Sequence, residues 1–533
     1  MTLFTLNASA IRGGDNTPDK DYLCFTANEA GASVVLSASG SSCDVTLQTS
    51  TNGADWNEYA CDNFITLADA GDKVYFRNAK TASEVAGFST GQFTYYYFYM
   101  DGSIGASGNV MSLVDKDCAS TTIPCDYCFF GLFAFSEALT SAPELPATTL
   151  SEGCYSYMFH GCTSLTSAPE LPATTLSEGC YSYMFTGCTN LKTAPELPAT
   201  TLAPYCYQSM FEGCTSLTSA PELPATTLSE GCYNNMFSSC TSLTSVPELP
   251  ATTLSVGCYQ NMFSSCTSLT SAPELPATTL ALDCYNKMFC NCQKFADIKV
   301  AFSDWNSVTN GTLQWVKDVA STSTFSCPEG LEQTTGESGI PEGWTVKNTY
   351  DLAITSETGW ASMCVNLPLI VPTGVDVYYA SAASGNTIEL TQIEAGTVMA
   401  AKTAVIVKGA KGTVSFPIAG EAGTSFTNLF QGSSVDKACN AGENYVLNAS
   451  MSSDTSVHFS IYTGTTLTNH KAWLPKSAVG GASNIQFRFA DTTAISTMET
   501  EVAEDVIYNL AGQRVGNDYR GLGIKNGKKT WNN

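Results

Sequence analysis

The chain has 533 residues, of which 44% are hydrophobic and only 14% are charged, and its formal net charge is −25. Charged residues make up about a quarter of an average soluble protein, so the surface here must be covered largely by uncharged polar residues, as is common in extracellular proteins. So acidic a chain excludes nucleic acid as a partner and disfavours anionic membranes, because both are bound through Lys and Arg.

Residues 1–19 are interpreted as an N-terminal arm. The first residues, "MTLFTLNASAIRGGDNTPDKDYLC", lack a basic region followed by an apolar core, so no signal peptide is expected in this chain. No run approaches about 18 uninterrupted apolar residues, so no membrane insertion is expected.

Residues 20–123 are predicted to form a β-sandwich-like domain. Runs such as "ASVVLSASG" and "QFTYYYFYM" are separated by Gly and Asn turn signals. Alternation of apolar and polar residues with a period of two is typical of half-buried strands.

A 26-residue repeat occupies residues 124–300. Copies of "LPATTL" recur at this step from Leu145 to Leu275, and a Met-Phe pair follows the same step from Met158 to Met288. A fixed period of about 20–29 residues with leucines at set offsets indicates a leucine-rich-repeat solenoid, in which each coil is stable only against its neighbours. Residues 301–347 are predicted to cap the C-terminal end of this solenoid.

Each coil is predicted to contain one short parallel strand and one short helix. Two prolines three residues apart in "LTSAPELPATTL" prevent a long strand, because proline lacks the N–H that a ladder requires. The segment "CYSYMFTGC" is apolar at roughly helical spacing, so we expect the helix there. Positions that differ between copies, such as Ser156 and Tyr157, are expected to be exposed, and the recurring Leu, Cys, Tyr, Met and Phe positions to be buried.

The 22 cysteines allow three interpretations. Zinc requires close pairs with a matching second pair, and neither Cys125/Cys128 nor Cys290/Cys292 has one, so no metal site is predicted. Disulfides between neighbouring coils stay open as an alternative. We interpret the repeat cysteines mainly as free, buried, small hydrophobic residues.

Each "PELP" contributes one carboxylate at the same place in every coil. Stacked coils would put neighbouring carboxylates about 5 Å apart, where they repel by roughly 0.8 kcal/mol per pair in water, so the row is expected to face solvent. It is the candidate binding site, for a basic partner or cations. The alternative is a solvated face whose repulsion is screened by salt. The row consists of Glu144, Glu170, Glu196, Glu222, Glu248 and Glu274.

Catalytic chemistry has little support in the sequence. His160, His458 and His470 are the only histidines, and none lies in a nucleophile, metalloprotease or phosphate-binding motif. We therefore predict no catalytic residue, no cofactor and no enzymatic activity. A glycosidase needs only two carboxylates, so a secreted glycan-active hydrolase that uses the solenoid as a scaffold is kept as an alternative.

The C-terminal part is predicted to contain two further regions. Residues 348–500 show alternating runs such as "TAVIVKGAKGTVSFPI" and are predicted to form an all-β domain. Residues 501–533 form a short basic segment, a candidate sorting signal, with two short strands around a Gly-rich turn.

The repeat unit has the pattern "F-x-G-C-T-S-L-T-S-A-P-E-L-P", which begins, for example, at Phe185 to Cys188. This pattern resembles the BspA-like leucine-rich repeats of bacterial surface proteins. That family usually has Ala where this chain has Met, and a 23-residue period. "IYNLAGQRV" and "RGLGIKNGKK" are similar to the C-terminal segment of many exported proteins of Bacteroides-type bacteria. The resemblance implies a cell-surface or secreted protein, and members are associated with adhesion. The family has no fixed binding motif, so no binding residue carries over.

Together these observations predict a binding or adhesion protein that presents a leucine-rich-repeat surface. The expected partner is a host extracellular-matrix protein, a glycan or a bacterial surface. A structural component of the envelope, or of a phage, is a further alternative.

Overall fold

A computed structural model describes residues 20–40, 45–82, 88, 95–294, 297–449, 457–479 and 484–490, and the backbone of four strands within residues 507–532. Contacts divide the chain into two compact units, Met1–Phe487 and Arg488–Asn533. The structure is nearly all β, with 30% strand and 2% helix. The predicted arm, residues 1–19, lies outside the described residues. The other predicted domain boundaries stay predictions.

The N-terminal region consists of two sheets with an aromatic core. A six-stranded sheet has the order β4-β3-β6-β1-β8-β9, and a three-stranded sheet has the order β5-β2-β7. Phe25, Phe76 and Phe98 pack together between them, with ring centroids 4.8–5.6 Å apart. A 3-10 helix, Val110–Leu113, follows β8. The strands are β1 (Leu23–Ala27), β2 (Ala32–Ala38), β3 (Leu47–Ser50), β4 (Asn57–Tyr59), β5 (Ile65–Leu67), β6 (Lys73–Asn78), β7 (Tyr96–Asp101), β8 (Ile104–Ser107) and β9 (Leu139–Ser141).

Residues 124–300, here called the repeat stack, are held together by backbone hydrogen bonds between successive 26-residue coils. In a typical coil, every second amide donates to a carbonyl 25 residues further along, over 2.8–3.0 Å: Gly153, Tyr155, Tyr157, Phe159 and Gly161. The amides between them donate three residues back within the same coil: Cys154, Ser156, Met158, His160 and Cys162. Each coil therefore completes its backbone hydrogen bonding only when a neighbour is present.

The predicted leucine-rich-repeat solenoid of short parallel strands and short helices is wrong. The described residues contain no α-helix, and "CYSYMFTGC" forms a series of turns instead. The φ angle is positive at every fourth residue, with values of 55° at Gly153, 58° at Tyr157 and 72° at Gly161, and a right-handed helix cannot contain such residues. The short parallel strand expected in each coil is reduced, in the second coil, to one bridge between Ser167 and Thr193.

The apolar spacing explains why the segment resembled a helix. Buried residues recur every four positions, as at Cys154, Met158 and Cys162, and this period is close to the 3.6 residues of a helical turn. The buried rows were predicted correctly. The expectation that Ser156 is exposed is wrong: it is only 5% exposed, and its hydroxyl donates to the carbonyl of Ser182 in the next coil. Tyrosine rings stack between coils with centroids 5.8–6.0 Å apart: Tyr155, Tyr181, Tyr207, Tyr233, Tyr259 and Tyr285. Phenylalanine rings form a parallel stack at 5.3–6.0 Å: Phe133, Phe159, Phe185, Phe211, Phe237, Phe263 and Phe289.

Two rows of cysteines run beside these rings, and their thiols are free and buried, as predicted. In one row each sulfur lies 3.0–3.2 Å from the carbonyl oxygen of a Phe in the preceding coil, so the thiol donates a hydrogen bond between coils. Alanine could not replace that donor. The row consists of Cys162, Cys188, Cys214, Cys240, Cys266 and Cys292.

Other elements close both ends of the repeat stack. At the N-terminal end, the amide of Phe98 in β7 donates to Leu132, and the Phe98 ring stacks on Phe133 at 5.7 Å. At the other end, the amide of Phe289 donates to the carbonyl of the fully buried Trp315. Three parallel strands continue from there: β10 (Asp297–Lys299), β11 (Thr324–Ser326) and β12 (Thr345–Lys347).

Residues 348–487, here called the C-terminal β region, contain a nine-stranded sheet that curls into a nearly closed barrel. Its order is β14-β19-β16-β17-β27-β24-β23-β26-β21. The sheet nearly closes where the amide of Cys364, after the end strand β14, donates to the carbonyl of His470, before β26, the neighbour of the other end strand β21. A Cβ at Gly432 would fall 2.2 Å from the Cβ of Cys364, so only glycine permits this approach.

The described residues of this part of the chain form fifteen strands and one 3-10 helix, Lys476–Ala478, and the last strand continues to Phe489. The strands are β13 (Thr349–Ile354), β14 (Trp360–Met363), β15 (Leu369–Ile370), β16 (Asp376–Ser384), β17 (Thr387–Ile393), β18 (Val398–Met399), β19 (Val405–Lys408), β20 (Gly412–Pro417), β21 (Gln431–Ser433), β22 (Lys437–Ala438), β23 (Asn444–Asn448), β24 (His458–Ile461), β25 (Thr466–Leu467), β26 (Lys471–Pro475) and β27 (Asn484–Phe489).

The second compact unit is a small antiparallel sheet with the order β29-β28-β30-β31. Four strands are described where the sequence predicted two. They are β28 (Ile507–Asn509), β29 (Arg514–Val515), β30 (Gly521–Lys525) and β31 (Lys528–Asn532). Across the described part of the chain, no helix has the length and apolarity needed to cross a membrane.

We predict that a thiol reagent will leave the cysteines of the repeat stack that are fully buried unmodified in the native protein. Their burial blocks access and raises the pKa of thiols such as Cys162 and Cys214 well above the ordinary value, so little reactive thiolate forms. Mass spectrometry of the alkylated chain, native and in denaturant, checks this. The half-buried Cys439 serves as the reactive control. Modification of Cys214 at a rate similar to that of Cys439 would contradict the burial of the cysteine rows.

Candidate functional site

The predicted glutamate row follows one side of the repeat stack, but its members have different surroundings. Four are exposed: Glu144, Glu170, Glu196 and Glu222. Glu248 is half-buried, and Glu274 is only 5% exposed. The expectation that the whole row faces solvent is therefore wrong for the last two, because the C-terminal β region packs against them.

Glu274 is the centre of a buried polar cluster. One carboxylate oxygen lies 3.2 Å from Nε2 of His470 and 3.5 Å from Nζ of Lys299, and the other accepts a 2.6 Å hydrogen bond from the amide of Asn366. Burial, the largest influence, raises the pKa of Glu274, but His470, Lys299 and the amide together outweigh it and hold the pKa below its ordinary value. The carboxylate is therefore ionised and paired, as a buried charge must be.

Glu248 makes the second contact with the C-terminal β region. Its carboxylate lies 2.6 Å from Nζ of Lys402 and accepts hydrogen bonds from the hydroxyls of Ser433, at 2.8 Å, and Ser434, at 2.9 Å. The backbone amide of Ser434 donates to the same carboxylate. Burial raises the pKa of Glu248, but Lys402 and these donors lower it by more than burial raises it. The pKa of Glu248 therefore lies below its ordinary value.

These contacts make the C-terminal half of the row a junction within the protein. Glu222 adds an exposed ion pair with Lys437 at 3.5 Å, which contributes little because solvent screens it. Glu144, Glu170 and Glu196 are not part of the junction and remain the predicted binding residues. Sequence reasoning missed the junction because its partners are distant in the sequence: Asn366 and His470 are 92 and 196 residues from Glu274, and Lys437 is 215 residues from Glu222.

A second surface, which the sequence analysis did not identify, is formed by the turns of the first coils and the adjoining end of β7. Seven rings, each exposed or half-buried, form a continuous series in which neighbouring centroids are 4.6–6.1 Å apart. Phe135 is 70% exposed. We call this surface the aromatic ridge; it consists of Tyr95, Tyr97, Phe130, Phe135, Tyr157, His160 and Tyr183.

The ridge lies where the coils differ from one another. The Tyr157 position is occupied in successive coils by Tyr157, Tyr183, Ser209, Asn235, Asn261 and Lys287, all with φ between 51° and 58°. The Phe135 position is followed by three glycines and then by Ser239, Ser265 and Asn291, again all with positive φ. The signal in the sequence was therefore aromatic residues in the first coils at two positions that glycine, serine, asparagine or lysine occupy in later coils.

Three carboxylates lie around Tyr127, whose ring centroid is 6.1 Å from that of the ridge residue Phe130. Asp126, Glu152 and Glu178 occupy the same position in three successive coils, and all are exposed. The hydroxyl of Tyr127 donates to the Glu152 carboxylate, and this bond, followed by burial, raises the pKa of Tyr127 to about 12. A Cβ at Gly153 would fall 2.3 Å from the Tyr127 ring, so glycine is required there for the ring to lie across the next coil.

A cavity lies beside the nine-stranded sheet. It has a volume of about 700 Å³, and its walls include Trp360, Tyr462 and Trp473. Among the described residues that line it, Glu357 is the only carboxylate, so these residues do not present the carboxylate pair that a glycosidase uses. Within the described part of the chain, no group of His, Cys, Asp and Glu is arranged to hold a metal ion.

We predict that Glu274→Gln lowers the free energy of unfolding by about 3 kcal/mol at neutral pH, because Lys299 and His470 lose the buried charge that pairs with them. The pKa of Glu274 is lowered in the folded state, so its stabilisation is present above pH 4.5 and is lost as the pH falls through the folded-state pKa. Urea unfolding at neutral pH and well below pH 4.5 measures both effects. The difference between wild type and variant should shrink in acid.

The matched control is Glu170→Gln, which makes the same change at the equivalent, exposed position of a coil outside the junction. This substitution should alter the free energy of unfolding by no more than about 0.5 kcal/mol. Equal effects of the two substitutions, or an effect of Glu274→Gln that does not depend on pH, would contradict the junction.

Comparison with protein-family models, curated proteins and solved structures finds no match to this chain. The resemblance to BspA-like surface proteins therefore remains an expectation based on the motifs quoted above.

Proposed function

We propose that this protein is a cell-surface or secreted binding protein that holds another macromolecule on the aromatic ridge. The observation that carries the proposal is the ridge itself: seven rings lie in one continuous surface instead of in the core. Aromatic residues dominate the binding energy of protein interfaces, and contiguous exposed apolar surface on a soluble protein usually marks an interaction site.

Tyrosine suits such a surface for a physical reason. Each ring offers a large, rigid, amphipathic contact area with only two side-chain torsions to immobilise, so little conformational entropy is lost on binding. The stacking of Tyr157 on Tyr183, with centroids 4.6 Å apart and planes 13° from parallel, reduces that loss further because each ring already restricts the other. The ridge is therefore organised before a partner arrives.

An extracellular location is part of the proposal. The few charged residues and the resemblance to bacterial surface proteins support it, and so does the disulfide at Cys61, because disulfides persist mainly in oxidising compartments. The candidate partners are those expected from the sequence: a host extracellular-matrix protein, a glycan or the surface of another bacterium.

The proposal predicts a saturable interaction when the full chain is screened against matrix proteins, glycans and whole bacteria at physiological salt. The variant Tyr157→Asn/Tyr183→Asn should lose that interaction because it removes two rings of the ridge. It should still fold, since asparagine already occupies the same position at Asn235 and Asn261. Asn235→Ser/Asn261→Ser is the matched control and should bind like wild type.

Two outcomes of the screen would overturn the proposal. Absence of any saturable partner would remove the binding function. A partner that binds wild type and the double tyrosine variant equally would remove the ridge. Glu144→Gln/Glu170→Gln/Glu196→Gln, tested alongside, decides whether the exposed part of the glutamate row contributes, since unchanged affinity would exclude it.

A further inference from the structure

We infer that the aromatic ridge recognises a cationic protein segment, whose Arg and Lys side chains lie over the ridge rings and pair with the carboxylates beside them. This inference rests on the proposed binding function and specifies the chemistry of the partner. Three independent features support it: the backbone conformation under the rings, the charges that flank them, and the rings that are left uncovered.

The first feature is that the backbone disfavours the residues that form the ridge. Tyr157 and Tyr183 both have φ of 58°, and Phe135 has φ of 61°, a left-handed conformation that glycine and asparagine adopt readily and bulky residues rarely adopt. Other coils use Gly161 or Asn235 at the equivalent positions. Strained residues that persist in a fold cluster at binding and catalytic sites, so these rings are better explained by binding than by folding.

The second feature is the charge around the rings. Asp126, Glu152 and Glu178 are exposed and lie around Tyr127. The Tyr127 ring is 6.1 Å from the ridge ring of Phe130. Glu212 is close enough to contribute to the raised pKa of Tyr157, after burial and Tyr183. Burial lowers the pKa of His160, so that ring is neutral near pH 7 and does not oppose the field. The surface therefore attracts cations and repels anionic glycans.

The third feature is that the ridge rings have no cation of their own. Among the described residues, the cations that lie over aromatic rings do so elsewhere: Arg77 over Tyr22 and Trp56, and Lys408 over Trp360. Beyond Tyr183 the next residue in its row is Ser209, so no ring of that row stacks on its second face. A guanidinium over an aromatic face beside a carboxylate combines cation–π attraction with an ion pair, and Arg is better suited to both than Lys.

The test measures the affinity of the full chain for oligo-arginine, oligo-lysine and oligo-glutamate peptides by titration calorimetry. We expect oligo-arginine to bind more tightly than oligo-lysine, oligo-glutamate not to bind, and affinity to fall as salt rises. Tyr157→Asn/Tyr183→Asn should weaken oligo-arginine binding by about tenfold or more. Glu152→Gln/Glu178→Gln should weaken it by a similar factor.

Two controls separate a specific site from general attraction to an acidic protein. Glu394→Gln/Glu421→Gln makes the same charge change at exposed positions in the C-terminal β region and should leave affinity unchanged. Asn235→Ser/Asn261→Ser should also bind like wild type. Equal losses in the two glutamate variants, or oligo-arginine binding that survives loss of both tyrosines, would overturn the inference.

The inference and the proposed function can fail separately. If the screen finds a partner that requires Tyr157 and Tyr183 but oligo-arginine does not bind, the binding function stands and the cationic partner is wrong. If the partner that requires these tyrosines is a glycan, the binding function likewise stands and the cationic partner is wrong. If neither the screen nor the peptides give saturable binding, both fail.

Discussion

The alternating hydrogen-bond ladder between coils is the constraint on which the rest of the structure depends. Half of the amides in each turn segment reach the next coil, and the other half close turns within their own coil. That arrangement requires a left-handed residue at every fourth position, as at Gly153, Tyr157 and Gly161. It also requires identical spacing in every coil, because an inserted residue would displace every later donor from its acceptor. Near-identical repeats follow directly from this requirement.

The same constraint produces two different surfaces on the repeat stack. In the first coils, aromatic residues occupy three of the left-handed positions, Phe135, Tyr157 and Tyr183, and these rings are part of the ridge. On another side, the regular spacing aligns the PELP glutamates in a row, and the C-terminal β region uses Lys402 and His470 to bind the last two of them. One surface is thus used inside the protein to position a neighbouring region, and the other remains accessible.

The sequence predicted what strict repetition reveals and missed what depends on distant parts of the chain. The 26-residue period, the buried rows and the free cysteines followed from comparing copies, because a residue that recurs in every coil must serve packing. The helix was mispredicted because a period of four resembles a period of 3.6, although Gly153 and Gly161 were available as signs of left-handed backbone. Burial of Glu274 depends on Asn366 and His470, which no local pattern connects to it.

The central claim is that the exposed aromatic residues at left-handed positions serve binding, although the backbone conformation there disfavours them. Measuring the free energy of unfolding of Phe135→Gly tests it most directly, since Gly161, Gly187 and Gly213 fill the same position in the next three coils. Removing the strain of a non-glycine residue in the left-handed conformation should stabilise the fold by about 1 kcal/mol. This gain offsets the destabilisation that comes from the greater freedom of glycine in the unfolded chain. The account predicts a stability equal to or above that of wild type, whereas a loss of about 2 kcal/mol or more, as expected for a packing residue, would contradict it.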